Sequence, residues 1–257
     1  MTRTVDYRQS DGIATITLNR PEQRNAINLR MCDEMTAVLE EFEADRQARA
    51  AVLTGAGQAF SAGADLKAFA AGEGPRIAGH KGGFGGFVRY PRTKPVIAAV
   101  NGHALAGGLE LVLASDLAVA SSQALLGVPE VTVGLLAGGG GAIHLPVDIG
   151  LKAAMRLLLT GRPVSADQAL QLGLVNEVVA PDDVYATALE LAGQIRDASP
   201  LGVAATLRVA RAVAGGLSTE KAWRLNEEAL SALFVSEDAA EGRLAFTEKR
   251  KPSWSGR

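Results

Sequence analysis

Four short apolar runs, rich in alanine and β-branched residues, do most to limit how this chain folds. Ile13–Asn19 (IATITLN) alternates and is stopped by Pro21, and Ala50–Thr54 (AAVLT) is ended by Gly55. Pro95–Val100 (PVIAAV) and Asp116–Ala120 (DLAVA) follow. Runs of this length and make-up read as strands. Between the first two, Asn28–Asp45 places apolar residues at 31, 35, 38, 39 and 42, which is helical spacing, and Asn28 suits the N-cap. Between the last two, Leu109–Ser115 reads as a short helix. Strand and helix in alternation predict a layered α/β fold.

Residues 70–90 hold seven glycines and one proline, so they read as a mobile loop or a poorly formed helix between strands. From Ser199 onward the pattern becomes nearly continuous helix. We therefore expect a core over 1–197 and a helical region over 198–257. Trp223, Leu225, Leu230, Leu233 and Phe234 give one of these helices an apolar face, which must pack on the core or on another subunit.

The chain of 257 residues has a net charge of −2, which gives no reason to expect nucleic acid as a partner. Its single cysteine, Cys32, excludes an intrachain disulfide. The start, MTRTVDYRQSDG, lacks the apolar stretch of a signal peptide, and no apolar run reaches the roughly 18 residues of a membrane helix. A soluble cytoplasmic protein without membrane insertion is the expectation.

The three histidines, 80, 103 and 144, show no metal-ligand spacing, so no metal site is expected. His103 reads as a hydrogen-bonded loop residue. No G-x-S-x-G elbow occurs; Gly55-Ala-Gly57 lacks the third glycine of a dinucleotide fingerprint, and Gly138–Gly141 lacks the Lys-Ser/Thr of a P-loop. Two pieces remain, Phe60–Leu66 (FSAGADL) and Asn101–Asp116 (NGHALAGGLELVLASD). Both place small residues after a strand and before a helix, where free N–H groups and the helix dipole can meet a ligand oxygen. Taken alone, each reads first as a tight turn; two together can build an oxyanion hole. Glu110 follows in a segment apolar on all sides, and Glu130 sits in an apolar, strand-like context (LLGVPEVTVG). A carboxylate at a helix start favours the dipole, but a buried one needs a partner or a shifted pKa, and two such acids suit general acid–base work.

These residues resemble the enoyl-CoA hydratase/isomerase (crotonase) family over nearly the full chain. The resemblance rests on LNRPEQRNAIN at 18–28, residues 52–69, 94–121 and 158–179, and AFTEKRK at 245–251. It implies a spiral of ββα turns followed by helices that trimerise, the trimers commonly pairing. It implies an acyl-CoA thioester as substrate and no cofactor. Its oxyanion donors would be the N–H groups of Ala64 and Gly107, with Glu110 and Glu130 holding one water, the first to take its proton, the second to protonate Cα. Arg24, Ala62, Asp65, Leu66, Lys67 and Gly108 would contact the CoA thioester, and Phe246 and Lys249 would be lent by a neighbouring subunit. The match is closest to enoyl-CoA hydratases. The 79–87 segment, GHKGGFGGF, resembles carnitinyl-CoA dehydratases, which act on a charged acyl group. Another acyl-CoA isomerase or hydrolase, or a non-catalytic CoA-binding protein, stands as an alternative. Ala106 replaces a glycine common in hydratases, Val128 a glutamine, Ala137 a proline, and Ala142–His144 a Thr-Gln-Arg, which bears on acyl specificity.

Overall fold

In a computed structural model, which describes residues 3–257, the four apolar runs lie side by side in one sheet. Among the described residues the strands are β1 (Val5–Ser10), β2 (Ile13–Leu18), β3 (Ala50–Gly55), β4 (Ala59–Ser61), β5 (Val96–Val100), β6 (His103–Leu105), β7 (Leu117–Ser121), β8 (Leu125–Gly127), β9 (Val164–Ser165) and β10 (Glu177–Val179). The helices of the first half are α1 (Leu29–Ala44), α2 (Leu66–Ala68), α3 (Gly74–Ala78) and α4 (Gly107–Leu113). Those of the second are α5 (Gly141–Asp148), α6 (Leu151–Thr160), α7 (Ala166–Leu172), α8 (Val184–Arg196), α9 (Pro200–Ala214), α10 (Thr219–Phe234) and α11 (Glu237–Glu248).

The large sheet runs β1-β2-β3-β5-β7-β10, parallel except for the β1–β2 hairpin. A second sheet runs β4-β6-β8-β9. The chain alternates between them: β3 then β4, β5 then β6, β7 then β8, with helical segments after each pair. This is the ββα spiral implied by the resemblance. The mostly apolar runs follow from burial on both faces of a parallel sheet. Ala51, Leu53, Ala98 and Ala120 face the main core with α1, while Ala50, Val52, Ala99 and Val119 face α8. Asn28 caps α1 as expected, its side chain accepting the Met31 N–H at 3.0 Å.

Of the two readings of residues 70–90, the poorly formed helix is the one the structure shows: short helical pieces broken at Gly72 and Gly85. They form α3 and a 3-10 turn at Phe84–Gly86, and Gly85, Gly86 and Phe87 are buried. Gly86 serves close packing: a Cβ on it would stand 2.2 Å from the Cys32 carbonyl oxygen. The C-terminal helices form as expected, and Arg211 of α9 grips Asp116 with two nitrogens, tying them to the start of β7. The apolar face of α10 is not covered within the chain: Trp223, Leu230 and Phe234 are exposed. No helix among the described residues is long and apolar enough to cross a membrane.

Candidate active site

The spiral brings FSAGADL against the start of α4. Gly63 is the point of contact: it adopts φ +85°, and a Cβ there would stand 2.6 Å from the Ala106 Cβ and 2.8 Å from the Gly107 nitrogen. Only glycine lets the two backbones approach this closely. The Ala62, Gly63 and Asp65 N–H groups donate to the Arg24 carbonyl, the Ser61 Oγ and the Ile27 carbonyl. Between them, the Ala64 N–H has no acceptor among the described residues, and neither has the Gly107 N–H at the first position of α4. Two free donors thus lie on either side of Gly63, one of them at the positive end of a helix. Ala106, just before α4, holds φ 52° and ψ −129°, a region that disfavours a side chain.

Glu110 is 3% exposed and faces inward from the first turn of α4. Its Oε1 accepts the Gly141 N–H at 2.9 Å, the first residue of α5. Burial pushes its pKa up to about 7; the Gly141 N–H opposes this, and the charge of Glu130 adds to it. Glu130 is half-buried, and its Oε2 is enclosed without a hydrogen-bond partner. Burial raises its pKa too. The strand-like context expected for Glu130 is corrected: it belongs to a 3-10 turn, Pro129–Val133, started by the fixed φ of Pro129. That turn leads the acid back toward Glu110 rather than out along a sheet.

The other expected residues divide into two groups. Arg24 and Ala62 are neighbours, joined by the Ala62 N–H to Arg24 carbonyl bond at 2.9 Å, and both are exposed. Leu66 and Lys67 stand exposed on α2 beside them. Asp65 has a structural task there: its carboxylate caps α2 and pairs with Arg20 at 2.9 Å. Gly108 is a packing residue, since a Cβ on it would stand 2.2 Å from the Ser61 carbonyl oxygen. Phe246 and Lys249 lie apart, exposed at the end of α11, which packs on α10. His103 accepts the Leu125 N–H through Nδ1, as a hydrogen-bonded structural histidine does. Among the described residues, no cluster of three or more His, Cys, Asp or Glu could hold a metal ion.

Sequence reasoning missed Phe84, Gly139 and Gly141. The Phe84 ring fills the space beside Gly107, its Cε1 2.1 Å from where a Cβ there would stand. A Cβ on Gly139 would stand 2.2 Å from Glu110 Oε2 and 2.8 Å from Phe84 Cβ. The signals were present as GGFGGF and GGGG, but which side chain each glycine makes room for is set by the fold.

The family model described as enoyl-CoA hydratase/isomerase matches residues 8–257. Among curated proteins, the chain is 39% identical to the carnitinyl-CoA dehydratase of Proteus mirabilis and 40% identical to that of Escherichia coli, each alignment covering all of both chains. Among solved structures, it resembles an enoyl-CoA hydratase from Mycobacterium tuberculosis with TM-score 0.95 and 42% identity, covering both chains in full. It also resembles a carnitinyl-CoA hydratase from Mycobacterium avium, with TM-score 0.78, 42% identity and full coverage of both chains.

Proposed function

The chain belongs to the enoyl-CoA hydratase/isomerase family, and from this premise we propose that it adds water reversibly across a trans-2-enoyl-CoA to give a 3-hydroxyacyl-CoA. It is an enzyme of the hydratase/dehydratase type, a hydro-lyase acting on acyl-CoA thioesters. The observation that carries the site assignment is the buried Glu110, electrostatically coupled to Glu130.

In this reading the thioester oxygen lies on the Ala64 and Gly107 N–H groups. Attack at Cβ moves an electron pair onto that oxygen, and the two donors stabilise the enolate. Removing one such donor typically costs about 10²–10³ in rate. Glu110 takes a proton from the water as its oxygen bonds to Cβ, and Glu130 delivers a proton to Cα. The pair thus carries one proton in total, exchanged between its members. Burial penalises the charge on both acids and so favours keeping a proton on the pair. Arg24, the Ala62 carbonyl and Lys67, which are exposed, would contact the CoA part of the substrate. No cofactor is needed for these steps.

We assign residues 1–197 to the catalytic core and 198–257 to oligomerisation in a trimer or a dimer of trimers in the cytoplasm. Trp223 and Phe234 of α10 and Phe246 of α11 are exposed, and a second copy of the chain would cover them. Phe246 and Lys249 would then reach a neighbouring site. A second substrate reading, dehydration of carnitinyl-CoA by the same chemistry, is favoured by relatives of that name at about 40% identity over the whole chain.

The test is loss of the enoyl-thioester absorbance with crotonyl-CoA and crotonobetainyl-CoA. Turnover of either is expected, with Glu130→Gln slower by at least about 10², the low end for a general acid or base. No turnover of any enoyl-CoA, short, long or charged, would refute the hydratase reading.

A further inference from the structure

The glycine-rich segment after α3 holds one aromatic side chain beside Glu110. Thr36 Oγ1 of α1 reaches the Cys32 and Gly86 carbonyl oxygens at 3.0 and 3.3 Å. A Cβ on Gly82 would stand 2.4 Å from the Gly86 carbonyl oxygen, so the turn closes tightly on itself. The Arg89 N–H donates back to the Gly82 carbonyl at 2.9 Å. Next along the chain, the Phe87 ring is buried beneath the Arg92 guanidinium, 4.2 Å away. Phe84 stands at the tip of this clamped turn, packed on the core but not sealed in it.

Its position relates directly to an acyl group. One edge of the ring lies on Gly107, and its Cβ lies on Gly139 in company with Glu110 Oε2. An acyl chain whose thioester oxygen sits on the Gly107 N–H, and whose Cβ faces Glu110, passes along this wall. Carbons beyond Cβ must go around the ring or displace it. The turn has little room to retreat, because Gly86 already touches the Cys32 carbonyl and Gly85 lies against Leu111.

We propose that Phe84 closes the acyl pocket and restricts the enzyme to short acyl groups. The inference rests on the placement of the thioester proposed above. A pocket that gains or loses a methylene changes discrimination by about 10–200-fold. The experiment compares kcat/KM for crotonyl-CoA, 2-octenoyl-CoA and 2-hexadecenoyl-CoA in the wild type, Phe84→Ala and Phe84→Leu. Each ratio is internal to one protein sample, so a partly unfolded variant does not distort it. The wild type is expected to prefer crotonyl-CoA. Phe84→Ala should raise the octenoyl-to-crotonyl ratio at least about tenfold, and Phe84→Leu, which removes fewer carbons, should raise it by less than Phe84→Ala does. Calorimetric affinities for butyryl-CoA and octanoyl-CoA read the same selectivity without turnover, so the inference is tested even if the hydratase assignment fails. An unchanged ratio in Phe84→Ala, or a wild type that favours hexadecenoyl-CoA, would overturn it. So would a Phe84→Leu variant that loses only crotonobetainyl-CoA, since that would make the ring face a cation partner rather than a barrier.

Discussion

Replacing Glu110 by glutamine should make the protein's stability less dependent on pH while removing most of its activity. Folding takes this carboxyl from an ordinary value of 4.5 to about 7, because burial penalises its charge. In this window the unfolded chain releases the proton and the folded chain keeps it. A raised acid therefore lends its stability below about pH 4.5 and loses it as pH rises through about 7. The shift corresponds to about 3 kcal/mol between the two ends of the window. Glutamine keeps an oxygen for the Gly141 N–H at Oε1 and has no charge to bury. Urea denaturation of both proteins at matched concentration, from pH 4.5 to 8.5, measures the difference. At pH 4.5 to 5 the two should be close, or the variant slightly weaker because its amide needs a new partner. By pH 8 the variant should be more stable by about 2–3 kcal/mol, while kcat falls by at least about 10². Stability curves that run parallel across the range would refute the reasoning, since they would mean that Glu110 does not change its proton affinity on folding.

Two further outcomes follow from the same structure. Ala106→Gly should raise the melting temperature: the backbone at φ 52°, ψ −129° costs an alanine about 1–3 kcal/mol, offset by about 0.5–1 kcal/mol of glycine entropy. A lower melting temperature in a thermal scan would show that no strain is stored there. Light scattering should give a mass that is a multiple of three chains, with a single-chain mass contradicting the role given to the exposed faces of α10 and α11.

How far the sequence disclosed this fold depends on where each element is buried. The central strands were legible because both faces of the sheet are covered, so AAVLT and PVIAAV are apolar at nearly every position. The second sheet was not, because β4, β6 and β8 are three residues each, AFS, HAL and LLG, too short to show a period. Glu110 was legible because a lone acid among Leu109, Leu111 and Val112 contradicts its surroundings. Glu130 was legible as an acid but not as part of a turn, since PEVTV has the composition of a strand and only Pro129 hints otherwise. Phe84 was hidden among glycines whose abundance suggested motion. Gly85 and Gly86 instead mark close contacts with residues distant in sequence, Leu111 and Cys32.

The two halves of the proposed chemistry share one helix, and this limits what the site can accommodate. Gly107 is the first residue of α4 and Glu110 the fourth, so both lie within a single turn. A rise of about 1.5 Å per residue separates them by about 4.5 Å along the axis. Residues three apart lie on the same side of a helix, so donor and acid address the same space. Backbone geometry fixes where the two residues stand, and the Gly141 N–H holds the carboxylate at the end of the Glu110 side chain. Gly63 then brings the Ala64 N–H to the same end, and Gly139 leaves room for the carboxylate at the other. A side chain at Gly63 would push the two donors apart, and one at Gly139 would collide with Glu110 Oε2. In the proposed chemistry the bare backbone around α4 is therefore part of the same device as the acid: it would let an enolate oxygen and a proton acceptor meet within one helical turn.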